Sequence, residues 1–178
     1  MKKIPLLTLI FAIMFCFSCS INSPEIYSKN TPKFDIRQYF RGDLEAFGIL
    51  KDRSGKVIRT FVVKMNGSWN GNDGKLVEDF TFNDGKTDHR VWELKVFDDN
   101  NFTGKAGDVV GIAKGQQFGN AMKMNYVLKI PYNNSTIEVK IDDWMYLIDN
   151  NTLINESVLK KFGFKVATLT IGFKKIGI

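Results

Sequence analysis

Three carboxylates and two guanidinium groups fall at positions that belong to the interior of the protein. Along a β-strand successive side chains alternate between two faces, so residues two apart share one face. By that count Glu78 lies with Leu76, Phe80 and Phe82, and Arg90 with Trp92, Leu94 and Val96. Asp108 lies with Phe102, Ala106, Val110 and Ile112, and Asp143 with Ile141, Met145 and Leu147. Arg59 shares its face with Val57, Phe61, Val63 and Met65. An ionised group among hydrocarbon is costly unless paired and hydrogen-bonded, so these five are expected to meet one another.

Three kinds of chemistry fit such a cluster. The plainest is a structural ion-pair network, or charges at a rim where strands leave the core. The second is a polar floor in an apolar cavity, orienting the headgroup of a lipid-like ligand. There Arg59 and Arg90 would each grip a carboxylate or phosphate bidentately. The third is a hydrolase pairing Glu78 with Asp108 or Asp143, for which strand parity does not supply the required separation. The ligand-binding candidates are therefore Glu78, Arg90, Trp92, Asp108, Asp143, Trp144 and Arg59. Met122, Met124 and Tyr126 join Trp92 and Trp144 as candidate wall or rim. Trp144 shares the face of Tyr146, opposite Asp143, and is the one of these placed to lie outside.

Other catalytic patterns are absent from the sequence. His89 is the single histidine, and parity sets it with Val91 and Glu93, away from Arg90. No His/Cys cluster offers a zinc site, and Asn70-Gly-Asn-Asp-Gly74 lacks the glutamate that completes a calcium loop. The glycines at 111, 115 and 119 precede no helix, so they form no phosphate loop. Neither a metal nor a cofactor is expected, and no catalytic residue is assigned.

The elements that must position these residues are nearly all strands. Segments of about ten residues rich in Val, Ile, Phe and Thr alternate with turn signals. The turns fall at Arg53-Ser-Gly-Lys56, Asn70–Gly74, Asn83-Asp-Gly85, Asp98–Asn101 and Tyr132–Ser135. Strands are expected near 43–51, 57–66, 76–83, 88–97, 102–113, 119–130, 136–148, 152–160 and 165–174. The fold class is therefore all-β: an antiparallel up-and-down meander of eight or nine strands, closed into a lipocalin-like barrel without free edges. Such a barrel is filled by side chains or holds one small ligand. A β-sandwich is the alternative, and outward Lys and Asp argue against membrane-spanning strands. Residues 34–40 (FDIRQYF) predict a short N-terminal helix whose apolar side chains plug something apolar.

The N-terminus carries an address. Lys2 and Lys3 precede an apolar run, Ile4–Phe17, too short to span a bilayer comfortably, and Ser18 stands before Cys19. That arrangement resembles a bacterial lipoprotein signal, with residues 1–18 removed and Cys19 acylated. Cys16 is the weaker candidate because bulky Phe15 precedes it, and Ser20 resembles an outer-membrane sorting signal. Residues 19–33 read as the lipidated N-terminus and tether, and 34–178 as the barrel domain. The expected location is the cell envelope, lipid-anchored, on the periplasmic side of the outer membrane. The partners expected are the membrane, through that anchor, and a lipid-like ligand; no protein partner is indicated.

Composition limits the rest. Cutting 18 of 178 residues leaves 160, enough for one domain with a sizeable core. The net charge of +6 loses the two leader lysines, and the remainder is spread without a basic block. Nucleic acid is therefore not expected as a partner, whereas a weak attraction to anionic lipid headgroups is. The anchor would consume the one cysteine left, so no intramolecular disulfide is expected.

Six short motifs occur in order with compatible spacing. They are Tyr39-Phe-Arg-Gly42, Asp84-Gly85 with Arg90 and Trp92 downstream, Asp108-Val-Val-Gly111, Gly119-Asn-Ala-Met122, Asp142-Asp-Trp-Met145 and Lys161-Phe-Gly163. Together they resemble a family of bacterial outer-membrane lipoproteins known as a domain of unknown function, over residues 34–175. The resemblance implies a lipid anchor and a lipocalin-like barrel, and it implies no reaction. Asn155-Glu156 departs from the family's Asn-Arg, so a cationic role there does not carry over. The expected function is binding or carrying a hydrophobic or amphipathic small molecule. A structural or assembly factor of the envelope with a solid barrel, and an enzyme acting on lipids, are the alternatives.

Overall fold

The computed structural model describes residues 23–176, so the leader and Cys19 lie outside the described residues. Ten antiparallel strands follow one another: β1 (Gly42–Asp52), β2 (Val57–Asn70), β3 (Asp73–Phe82), β4 (Thr87–Val96), β5 (Asn101–Lys105), β6 (Ala113–Phe118), β7 (Ala121–Tyr132), β8 (Ser135–Leu147), β9 (Thr152–Lys161) and β10 (Phe164–Lys175). Each pairs with its neighbour in sequence, and β10 returns to β1, closing a lipocalin-like barrel. Closure pairs the first strand with the last, so neither is left as a free sheet edge. Glycines at positive φ make several of the tight turns possible, among them Gly55 (90°) and Gly85 (79°).

The strand count exceeds the expected eight or nine because 102–113 is not one strand. β5 stops at Lys105, and a loop, 106–112, leads to β6. Ala113-Lys-Gly-Gln-Gln-Phe118 carries too few apolar residues to announce a strand by pattern. Its inward positions are instead small or polar. Gly115 is bare because the Phe102 ring occupies the space a Cβ would fill, 2.0 Å away. Val110 and Ile112, expected inside with Asp108, are exposed for the same reason: the chain there is loop.

That loop patches a seam. β4 pairs with β5 only over Glu93–Val96, and β6 reaches along β7 only from Phe118 opposite Ala121 to Lys114 opposite Asn125. Toward the end of the barrel where β1, β3, β7 and β9 turn, Thr87–Trp92 and Tyr126–Tyr132 therefore lose those neighbours. Loop 106–112 fills the gap and fastens to β7: Val110 N–H donates to Val127 O and Lys129 N–H donates to Asp108 O, both at 2.8 Å.

The opposite end is plugged. A single helical turn, α1 (Ile36–Tyr39), is capped by Asp35 and buries Phe34, Ile36, Tyr39 and Phe40 under the barrel. Polar groups fix the plug where backbone would otherwise be orphaned. Trp69 Nε1 donates to Phe40 O at 3.0 Å, and Ile36 N–H donates to Gln117 Oε1 at 3.0 Å. The Tyr39 hydroxyl faces the carbonyls of Asn151 and Phe173. The segment expected as a tether is also fixed over its described part. A 3-10 turn, Pro24–Tyr27, buries Pro24, and the Tyr27 ring meets Trp144 and Tyr146 edge-on at 6.2 and 5.6 Å.

Gly67 tests the seating of this plug. A Cβ there would lie 1.7 Å from the Phe40 carbonyl oxygen, and backbone cannot swing aside as a side-chain tip can. Gly67→Ala is expected to cost about 1–3 kcal/mol of unfolding free energy, read as a lower denaturant midpoint. Gly107→Ala, which meets nothing within 4 Å, should change it by less than about 0.5 kcal/mol. Equal midpoints for both variants would contradict this account of the plug.

Candidate functional site

The barrel encloses a cavity of about 940 Å³. Ile36 and Phe40 of the plug form its floor, and Arg59, Lys129 and Thr136 stand at the unplugged end. Its wall is mainly hydrocarbon and sulfur, including Met65, Leu76, Leu94, Met122 and Met124. His89 and Val91 also border it although they point outward, which places part of the opening at the seam between β4 and loop 106–112.

Into this apolar space strand parity delivers a polar cluster. Glu78 and Arg90 are direct partners in the β3–β4 ladder, with Arg90 Nη1 at 3.6 Å from Glu78 Oε2. The same guanidinium spans the seam, donating to Asp108 from Nε at 3.1 Å to either oxygen and from Nη2 at 2.5 Å. Across the cavity Asp143 accepts from the Ser157 hydroxyl at 2.7 Å, from the Asn155 amide, and from the Tyr126 hydroxyl at 3.5 Å. Tyr126 in turn meets Trp92 edge-on at 5.5 Å.

Burial shifts these groups. Glu78 is only 9% exposed, and desolvation pushes its carboxyl up to about 7. Arg90 pulls it down, while Asp108 and Asp143 push it further up. Burial likewise lifts Asp143 to about 6 against the pull of Ser157 and Asn155. Burial disfavours the Arg90 cation, but Glu78 and Asp108 outweigh it and hold the guanidinium charged. Tyr126 is kept neutral by burial and by the Asp143 charge. Glu78 Oε2 accepts no hydrogen bond although it is buried.

Of the residues chosen from sequence, Glu78, Arg90, Trp92, Asp108 and Asp143 come together on the cavity. Arg59 stands apart at the mouth, 3.2 Å from Asp84 and 3.7 Å over the Phe82 ring. Trp144 does not line the cavity. It stacks with Tyr146 on the outer face, and the Lys123 ammonium sits 4.9 Å from its ring. Two inward polar residues outside that set, Asn155 and Ser157, also line the cavity. Leu153, Asn155, Ser157 and Leu159 alternate as one buried face of β9, so parity held the signal. His89 is exposed, its Nδ1 2.7 Å from Asp79, as parity required. Among the described residues no group of three or more His, Cys, Asp or Glu is placed to hold a metal ion.

Comparison with known proteins gives a family and a fold. The chain belongs to the family described as "Protein of unknown function (DUF3833)", which matches residues 13–175. No curated protein matches the sequence. Among solved structures, an S-type phycobiliprotein lyase from Guillardia theta superposes with a TM-score of 0.61 at 6% identity, covering 87% of this chain and 98% of that one. A protein of unknown function from the DUF3598 family of Nostoc punctiforme superposes with a TM-score of 0.53 at 11% identity. There the match covers 82% of this chain and 51% of the other, so the chain spans about half that protein. At such identities the likeness is one of fold.

The raised carboxyls make stability fall as pH rises. Unfolded, Glu78 loses its proton near 4.5; folded, it holds it to about 7. Between those values the native chain binds a proton that the unfolded chain lacks, so the contribution is full below pH 4.5 and gone above about 7. Asp143 acts in the same direction between 3.8 and about 6. At roughly 1.4 kcal/mol per pKa unit, Glu78 should account for about 3 kcal/mol across its window. Denaturant midpoints taken between pH 4.5 and 7.5 should decline more steeply for the wild type than for Glu78→Gln. Parallel curves would contradict the assigned shift.

Proposed function

We propose that this protein is a binding module that carries a hydrophobic or amphipathic small molecule inside its barrel, held at the cell envelope by acyl chains on Cys19. The observation that carries the binding reading is the cavity of about 940 Å³ with one polar cluster set among apolar wall. Small-molecule sites have volumes of roughly 300–1,000 Å³, mostly apolar, with a few polar groups fixing orientation. The methionines on the wall suit a ligand of imprecise shape, because an unbranched thioether repacks easily. A solid-barrel assembly factor has no use for such a space. The lyase that shares the fold supports the barrel as a host for function, and its own activity is not transferred to this chain.

A second reading rests on one observation. A carboxyl titrating near 7 is effective as a general acid or base, so Glu78 is also suited to an enzyme acting on a lipid-like substrate. Such an enzyme would return its ligand altered, whereas a carrier returns it intact.

Native mass spectrometry of protein extracted gently from membranes should show a retained lipid-sized adduct. Met122→Trp, which fills the cavity from its wall, should remove the adduct while circular dichroism stays β-rich. A wild-type spectrum showing only the bare protein mass would sink the binding reading. The envelope address has its own test: Cys19→Ala should abolish incorporation of a labelled fatty acid. Continued labelling of that variant would move the anchor elsewhere.

A further inference from the structure

The cluster inside the cavity is unbalanced. It holds one cation, Arg90, and three carboxylates, Glu78, Asp108 and Asp143. The cation is already engaged on two sides: Asp108 takes its Nε and Nη2, and Glu78 stands 3.6 Å from Nη1. Two of its three nitrogens are so engaged, and the third, Nη1, faces Glu78 beyond hydrogen-bond distance. Of the neutral donors within, Ser157, Asn155 and Tyr126 point at Asp143, and the Trp92 indole N–H acts on the Glu78 carboxyl. What the interior offers is acceptor capacity, above all the buried Glu78 Oε2, which accepts no hydrogen bond. A buried acceptor left without a donor costs on the order of 1–3 kcal/mol, more when charged.

An acidic headgroup brought to this depth would meet three carboxyl groups against the single cation Arg90. A headgroup rich in N–H or O–H would complete the set. We propose that the ligand enters with a hydrogen-bond donor as its polar end, an ammonium in its strongest form or a hydroxyl, on an apolar body, and that Glu78 Oε2 receives it. This rests on the binding reading above and reverses the expectation that Arg59 and Arg90 grip a carboxylate or phosphate. Arg59 is held at the mouth by Asp84, away from the cluster. Arg90 becomes a positioning residue, holding Glu78 on the β3–β4 ladder and Asp108 across the seam.

The test uses three probes that share one chain and differ only at the head: dodecylamine, dodecanol and dodecanoate. Each is titrated calorimetrically into the full chain held in nanodiscs of zwitterionic lipid, with empty nanodiscs subtracted. Dodecylamine should bind about tenfold or more tightly than dodecanoate, the size of effect a charge-assisted hydrogen bond supplies. Glu78→Gln should reduce the advantage of dodecylamine over dodecanol about tenfold. Should that variant fail to fold by circular dichroism, the wild-type ranking alone decides. Dodecanoate binding as well as or better than dodecylamine overturns the inference and leaves the binding reading standing, with the acid seated at Arg59 or Lys129. An amine preference unaltered in a folded Glu78→Gln overturns the assignment to Glu78. If none of the probes binds, both the inference and the binding reading fall.

Discussion

Between Thr87–Trp92 of β4 and Tyr126–Tyr132 of β7 the barrel wall has no ladder of its own, and the Arg90–Asp108 ion pair ties the two sides. Loop 106–112 is stitched by backbone hydrogen bonds to β7. Its side-chain link to β4 is the guanidinium–carboxylate contact. That pair is therefore both wall and lining. It joins the seam, and it fixes the charge that faces the cavity. Because two neighbouring acids hold Arg90 protonated at any ordinary pH, the tie does not open by titration of the cation. Glu78 and Asp143, whose carboxyls burial raises to about 7 and about 6, are the parts of the cluster whose charge changes with pH.

The plug sets the other limit on what the barrel can hold. Four buried apolar residues of the N-terminal segment fill the space beneath β1, β2 and β10, and Trp69, Tyr39 and Gln117 hydrogen-bond their backbone and rim. A barrel of ten strands is wider than side chains alone can fill. Here the short helical turn occupies one end and leaves the remainder as cavity. The cluster of Glu78, Arg90 and Asp143 lies above that floor, so a ligand with its apolar body packed on Phe40 and the methionines brings any polar end within reach of it.

Much of this was legible in the sequence, and for a single reason. Strand parity is rigid, so once a segment is known to be a strand every second residue is assigned to one side. Glu78, Arg90 and Asp143 were placed inside that way without any knowledge of pairing. The failures share a cause as well. β6 carries Ala113, Gly115 and Gln117 at its inward positions, small or polar because Phe102 and the plug fill the space, so its apolar pattern is silent. The seam arises from unequal lengths of β4, β5, β6 and β7, a property of pairing that no one segment encodes. Asn155 and Ser157 look like surface residues by type, and only their alternation with Leu153 and Leu159 shows otherwise. Trp144 shows the opposite case: its size suggests a binding wall, but parity sets it outside, where Tyr27 covers it.

The cluster is hard to explain as a device for stability. Replacing a buried ion pair or triad with well-packed hydrocarbon is often neutral or stabilising, whereas leaving one partner unmatched is costly. Here Glu78, although ion-paired with Arg90, keeps a buried oxygen without a hydrogen bond, and burial raises its carboxyl to about 7. Strain of this kind persists where surroundings enforce it and where the site uses it. The enforcement is visible: Glu78 sits on a strand paired at every position from Asp73 to Thr81, so it cannot retreat to solvent without breaking the β3–β4 ladder. On the proposed binding reading, that use is a ligand that enters the cavity and completes the acceptor.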